Sequence, residues 1–424
     1  MTGEPVRKVV FENGLRLITE HMPSVRSISV GFWILGGSQI EEAAESGITH
    51  FIEHMLFKGT PTRTAYDIAR EMDSLGGQMD AFTSREYTCL LATVLDEHLP
   101  TVIDILTDQL KNSVFDEQEM NRERDVILEE IKTIEDSPDE LVHDICIQSL
   151  WPDQPIGRSI IGRQENVEGF TRQNLLDYFE HNFLPENIII TAAGNVDHDA
   201  LMRLIQKENL PSPISAGEEA ETSGRPMVKH QITCIRKKLE QAHVCLAIDG
   251  IPQNHDLRFA GYLMNSILGG GMSSRLFQKI REQRGLAYSV YSSCHSFRNA
   301  GLFSIYAGTR PQSLHDTVQL ILDELVLLKE QTVTEEELQR AKNQLKGSLM
   351  LGLESTANRM SKLARQEIYF NRNFSLDEIL AKIDGVTQED ILTLASLLFC
   401  SQNLSMAVLG DVTEPAWPLE ALRC

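Results

Sequence analysis

The chain has no cysteine framework. Its seven cysteines (Cys89, Cys146, Cys234, Cys245, Cys294, Cys400 and Cys424) are odd in number, scattered and never spaced as CxxC, which argues against a disulfide-stapled domain and a thiolate zinc site. They read as reduced and mostly buried. No apolar run reaches the length of a membrane span. The opening MTGEPVRKVVFENG has neither the apolar core of a signal peptide nor an Arg- and Ser-rich leader, so the expected compartment is the cytoplasm, with a mature organellar matrix form as the alternative. Basic residues are scarce: 39 Lys and Arg stand against 61 Asp and Glu, a formal net charge of −22. That balance repels nucleic-acid phosphates and leaves cationic peptides as the better-matched partners. Most of the acids should simply solvate helices. What remains is ordinary for a globular protein, 42% hydrophobic and 24% charged, but 424 residues exceed what one core usually supports.

Against that background, the stretch Gly47–Gly59 stands out. It reads as an apolar helix packed into a core, yet it carries His50, Glu53 and His54, spelling HxxEH. At about 100° per residue, histidines four apart project from one helix face with Glu53 close by. Two imidazoles at that spacing can hold one metal ion, and zinc suits two imidazole nitrogens plus a carboxylate. A carboxylate beside the metal is better placed to take a proton from water than to serve as the third ligand. The motif is the inverted form of the HExxH zinc-peptidase signature.

A third ligand must come from elsewhere, and a second acidic helix, FDEQEMNRERDVILEEI at 115–131, offers two candidates. Asp116 reads as its N-cap. Glu123 and Glu130, seven apart, share one face, so one can reach a metal while the other acts beside it. Glu117, Glu119 and Glu129 read as a solvated surface.

Three blocks, HFIEHMLFKGT at 50–60, GGQMDAFTSREYT at 76–88 and ERDVILEEI at 123–131, resemble in order and spacing the M16 metallopeptidases, the family of the mitochondrial processing peptidase, insulin-degrading enzyme and pitrilysin. The resemblance implies one Zn2+ per chain on His50, His54 and Glu130, with Glu53 as general base and Glu123 as an auxiliary acid. It implies an endopeptidase acting on peptides or unfolded precursor segments in an enclosed chamber. It also implies an α+β fold of two homologous domains, each a mostly antiparallel sheet flanked by helices, together forming half of a clamshell. In the family, an extended substrate adds to the edge strand holding Asp80, Ala81, Phe82 and Thr83. Position 80 is usually Asn there, and Asp in this chain suits a basic substrate residue. Glu140 and Asp144 fall where the processing peptidase reads a substrate arginine.

The two halves repeat one order of elements around a polar break, NLPSPISAGEEAETSGRP at 209–226, giving expected domains at 1–210 and 227–424 joined by a linker at 211–226. Laying 49–56 on 260–267 puts Gly261, Met264 and Asn265 at the positions of His50, Glu53 and His54. Laying 115–130 on 333–348 puts Ala341 at Glu123 and Ser348 at Glu130. The second half keeps the scaffold without the metal residues, so one half does chemistry and the other something else. Gly269, Gly270 and Gly271 permit positive φ or a close backbone approach; they make no phosphate loop, lacking GK[ST]. The resemblance implies that they line the substrate chamber. It also implies that Arg281 and Tyr288 complete the active site from the zinc-less half, where a guanidinium and a phenol can stabilise a developing oxyanion. Arg275, Arg284 and Tyr291 read as packing or surface residues. The expected assembly is a homodimer, with a heterodimer with a zinc-less paralogue as the alternative. The competing functional readings are a non-catalytic scaffold and a catalytic subunit silent without such a paralogue.

Overall fold

The computed structural model describes residues 6–208, 224–412 and Leu422. Most of the expected linker, 211–223, therefore lies outside the described residues, as does Cys424. The first half runs β1 (Arg7–Val10), β2 (Arg16–His21), β3 (Ser27–Leu35), α1 (Ile48–Met55), α2 (Ala65–Ser74), β4 (Gln78–Thr83) and β5 (Tyr87–Leu95). It continues with α3 (Leu99–Asn112), α4 (Glu117–Glu135), α5 (Pro138–Leu150), α6 (Gln164–Gly169), α7 (Arg172–Asn182), β6 (Ile188–Gly194) and α8 (His198–Glu208). The second half runs β7 (Ile232–Arg236), β8 (Ala242–Asp249), α9 (Arg258–Leu268), a π-helical stretch at Phe277–Gln283, β9 (Ala287–Ser296) and β10 (Gly301–Thr309). Then follow α10 (Leu314–Glu330), α11 (Glu335–Gly352), α12 (Thr356–Phe370), α13 (Leu376–Asp384), α14 (Gln388–Leu398) and β11 (Leu404–Gly410).

Each half contributes one sheet, and the two have the same topology. The first has strand order β1-β2-β6-β3-β5-β4 and the second β7-β11-β8-β10-β9. Every pair is antiparallel except β2 with β6 and β7 with β11. Without β1, the two orders map strand for strand, which is the repeat expected from the sequence. Helix α9 covers the residues aligned with α1, and α11 those aligned with α4.

The compact units are not the contiguous halves expected. One comprises residues 1–131, 159–221 and 351–373, and the other 132–158, 222–350 and 374–424. The physical reason is that central strands such as β3, β6, β10 and β11 are buried almost throughout, so each sheet needs cover on both faces. On the first sheet, one face is covered by α12, whose Met360, Leu363, Ala364 and Ile368 pack on Ile18, Trp33, Cys89, Ile189 and Ala193. Gly31 of β3 makes room: a Cβ there would lie 2.6 Å from the Met360 sulfur. On the second sheet, α5 plays this part through Val142, Cys146 and Leu150, against Cys245, Ala247, Tyr306, Ala407 and Leu409. α5 and α12 are repeat equivalents, and each belongs to the unit opposite to the one its sequence position suggests.

Strand β7 begins at Ile232; before it, Lys229 N–H donates to the Leu150 carbonyl at 2.9 Å. Helix α13 starts at a capping box in which Ser375 accepts from Glu378 N–H and the Glu378 side chain accepts from Ser375 N–H.

Candidate metal centre

Helix α1 is short and amphipathic. Ile48, Phe51, Ile52 and Met55 are buried, while His50, Glu53 and His54 lie half-buried along the other side. So short a helix is marginal alone, and its start is fixed from outside. Gly47 holds φ +99°, and a Cβ there would meet the Ile161 carbonyl at 2.7 Å. The carboxylate of Glu41, 1% exposed, accepts from Gly47 N–H at 2.9 Å and from Thr49 N–H at 3.0 Å. A buried anion there satisfies two N–H groups at the positive end of the helix dipole. Thr49 is tied further to the Tyr178 hydroxyl at 2.9 Å.

Helix α4 then brings its acidic face to α1. Glu130 Oε2 lies 3.8 Å from Nε2 of His50 and 3.8 Å from Nε2 of His54. One ligand atom from each of the three residues falls within 4.8 Å of the others. Glu123, one helical repeat earlier, faces the other side of the same ring: its Oε2 is 3.0 Å from His54 Nδ1. Its Oε1 is 2.6 Å from Lys58 Nζ. Burial works to raise the Glu123 carboxyl, but the hydrogen bonds from His54 and Lys58 outweigh it and hold it below the ordinary range. It is therefore held as a carboxylate against Nδ1 of His54, while the Nε2 side of the same ring faces Glu130. His50 is kept neutral by burial and by the adjacent His54 ring, which bring it down to about 3. Two imidazole nitrogens and a carboxylate in this arrangement fit a zinc-type donor set.

Glu53 stands beside these donors. Burial pushes its carboxyl above the ordinary value, against the opposing effects of the Thr83 hydrogen bond and His54. The Thr83 hydroxyl donates to Glu53 Oε2 at 2.6 Å. Thr83 ends β4, which pairs with β5 only and is the edge strand of its sheet. Along that edge, Asp80 and Phe82 are exposed and Ala81 half-buried, with the Phe82 ring edge-on to Trp33 at 5.9 Å.

The remaining candidates lie in the other unit. Arg281, in the π-helical stretch, places its guanidinium 4.7 Å from the Tyr288 ring centroid and 4.7 Å from that of Phe277. Tyr288 is 77% exposed. By contrast, Arg275 is committed to Glu337 in two parallel bonds of 2.7 and 2.9 Å, and Tyr291 to His143 at 3.0 Å. Glu140 and Asp144 sit on α5, exposed and half-exposed. In the glycine triplet, a Cβ on Gly269 would lie 2.4 Å from Ser292 N and one on Gly270 2.7 Å from the Ser266 Cα, whereas Gly271 would meet only Gln344 at 3.5 Å. Close approach explains the first two; positive φ, the other option raised by the sequence, occurs at none of the three. On α9, Asn265 accepts from the Ser292 hydroxyl at 2.7 Å, and Gly261 packs near Leu394. The repeat equivalents of His54 and His50 thus serve packing.

Two family descriptions tile most of the chain: "Insulinase (Peptidase family M16)" matches residues 16–164 and "Peptidase M16 inactive domain" residues 169–345. The chain belongs to the M16 peptidase family. An uncharacterized zinc protease of Streptomyces coelicolor is 40% identical, covering 96% of this chain and 90% of its own length. The uncharacterized zinc protease YmxG of Bacillus subtilis is 38% identical, covering 96% and 98%. Solved structures agree on the fold. A protease from Helicobacter pylori, 21% identical, superposes with a TM-score of 0.89 over 96% of this chain and 100% of its own. A peptidase M16 inactive domain from Pseudomonas fluorescens, 20% identical, gives 0.90 over 96% and 98%. HxxEH and Glu130 fall within the first match, and Gly261, Met264, Asn265 and Ala341 within the second, with Ser348 three residues beyond its end.

Glu41 and the hydroxyl of Thr83 are supports that sequence reading missed. Replacing Glu41 with Ala should strip two N–H partners from the start of α1 and destabilise the first unit by about 1–3 kcal/mol. Urea unfolding measures this, and an unchanged midpoint would show that the cap is dispensable.

Proposed function

We propose that the protein is a zinc-dependent endopeptidase acting on peptides or unfolded segments. The observation that carries this reading is the convergence of His50, His54 and Glu130, one ligand atom of each within 4.8 Å of the others and Glu130 Oε2 3.8 Å from both Nε2 atoms, beside the separate carboxylate of Glu53. His50, His54 and Glu130 would hold one ion per chain, which when bound supplies Lewis acidity to water and to the scissile carbonyl. Glu53 takes the proton from the attacking water and passes it to the departing amine nitrogen. Thr83 orients Glu53 for this, and its strand carries the substrate: the free edge of β4, through Asp80, Ala81, Phe82 and Thr83, accepts an extended peptide by main-chain hydrogen bonds. Main-chain pairing tolerates many side chains. Arg281 and Tyr288, with the loop of Gly269, Gly270 and Gly271, face the substrate from the zinc-less unit of a second copy and stabilise the oxyanion. Glu140 and Asp144 favour a basic residue near the scissile bond.

Glu53→Gln should retain about one zinc per chain by metal analysis and lose roughly 100- to 10,000-fold in turnover; near-normal turnover would remove Glu53 as the base. Mixing the inactive Glu53→Gln and Arg281→Ala chains should restore roughly a quarter of wild-type activity, because a mixed homodimer holds one intact composite site. A mixture as inactive as its components contradicts the shared site. Cleavage-site profiling of a peptide library should show Arg or Lys enriched beside the cut, and a flat profile removes that role from Glu140 and Asp144.

A further inference from the structure

Helix α4 presents two glutamates of the same chemistry to one imidazole. Glu123 approaches Nδ1 of His54 at 3.0 Å, and Glu130 approaches Nε2 at 3.8 Å. Only one of them can serve as ligand without the other competing for the same dication. Their surroundings differ: the Glu123 side chain is 9% exposed and that of Glu130 45%. Lys58 contacts Glu123. It sits four positions after His54, on the turn that closes α1, where its N–H is held by the Met55 carbonyl at 3.0 Å. From there Nζ reaches Glu123 Oε1 at 2.6 Å, with the lysine side chain itself 26% exposed.

We propose that Lys58 is a positioning residue that selects the metal ligand: by engaging one oxygen of Glu123 it confines the other to His54 Nδ1, leaving Glu130 to coordinate. The inference rests on the metal reading above. Both Glu123 oxygens are engaged, one by Lys58 and one at His54 Nδ1, which holds this carboxylate on the side of the ring away from Nε2. Its remaining task is to orient His54, the role that outer-shell carboxylates play for ligating histidines. Remove Lys58, and a nearly buried carboxylate has an uncommitted oxygen and an uncompensated charge. Glu123 is then free to turn toward the ion, and His54 loses its fixed orientation.

The test is zinc itself, titrated into full-length metal-free protein in competition with a chromophoric chelator. Lys58→Met should bind zinc about 10- to 100-fold more weakly than wild type, the range seen when an outer-shell partner is lost. Lys58→Arg, which keeps the cation, should recover most of the affinity. Glu123→Gln should show a loss similar to that of Lys58→Met, and the double variant should be no weaker than either single one, because both act through one chain of contacts. Should Lys58→Met not fold, Lys58→Gln, which keeps a polar partner without the charge, carries the test: it must bind zinc more weakly than wild type, and wild-type affinity there overturns the proposal. Wild-type affinity in Lys58→Met, no recovery in Lys58→Arg, or losses that multiply would overturn the selection by Lys58. In that event His54→Ala still abolishes binding, and the metal reading stands. Failure of the wild-type chain itself to bind zinc would remove both.

Discussion

The hydrogen bond between His54 and Glu123 is the constraint on which the rest depends. It joins the short helix α1 to the long helix α4 through a nearly buried carboxylate. With the Lys58 contact and the buried Met120, Ile127 and Ile131 of α4, it holds the face carrying Glu130 toward the histidines. The supports radiate from this contact. Lys58 balances the charge of Glu123, Glu41 fixes the start of α1, and Thr83 brings the edge strand to Glu53. A site of this kind is a set of polar groups in a place where apolar packing would be more stable, so each group needs a partner.

The two sheets explain how one fold can host chemistry once and packing once. Their strand orders map onto one another, and so do α1 with α9 and α4 with α11. At the aligned helix positions the side chains differ: where the first unit has His50 and His54, the second has Gly261 and Asn265, and Asn265 hydrogen-bonds Ser292 within its own unit. Glycine and asparagine ask little of their surroundings. The scaffold therefore does not require the metal residues, and their presence in one unit calls for an explanation in function rather than in folding.

The sequence shows which candidates share a helix face because they follow helical arithmetic: His54 comes four positions after His50, and Glu130 seven after Glu123. It does not show Glu41, Lys58 or Thr83 in their observed roles, because those depend on which segments meet, and spacing within one segment carries no such information. The same limit explains the exchange of α5 and α12. An apolar stripe such as Met360, Leu363, Ala364 and Ile368 announces a buried face without saying which sheet it covers. At the glycine triplet the reverse holds, since three glycines announce an unusual backbone but leave open whether φ or close approach demands them. Here the neighbouring strand residue Ser292 and the preceding helical turn demand them, at two of the three positions.

The central claim is that His50, His54 and Glu130 hold the ion while Glu123 stays on the far side of the His54 ring. Anomalous diffraction at the zinc edge, from crystals of the full-length chain grown with zinc, tests it most directly. The account predicts one strong peak per chain, bonded to Nε2 of both histidines and to the Glu130 carboxylate, with Glu123 still on Nδ1 of His54. A peak bonded to Glu123 in place of Glu130, or no peak near the histidines, would contradict it.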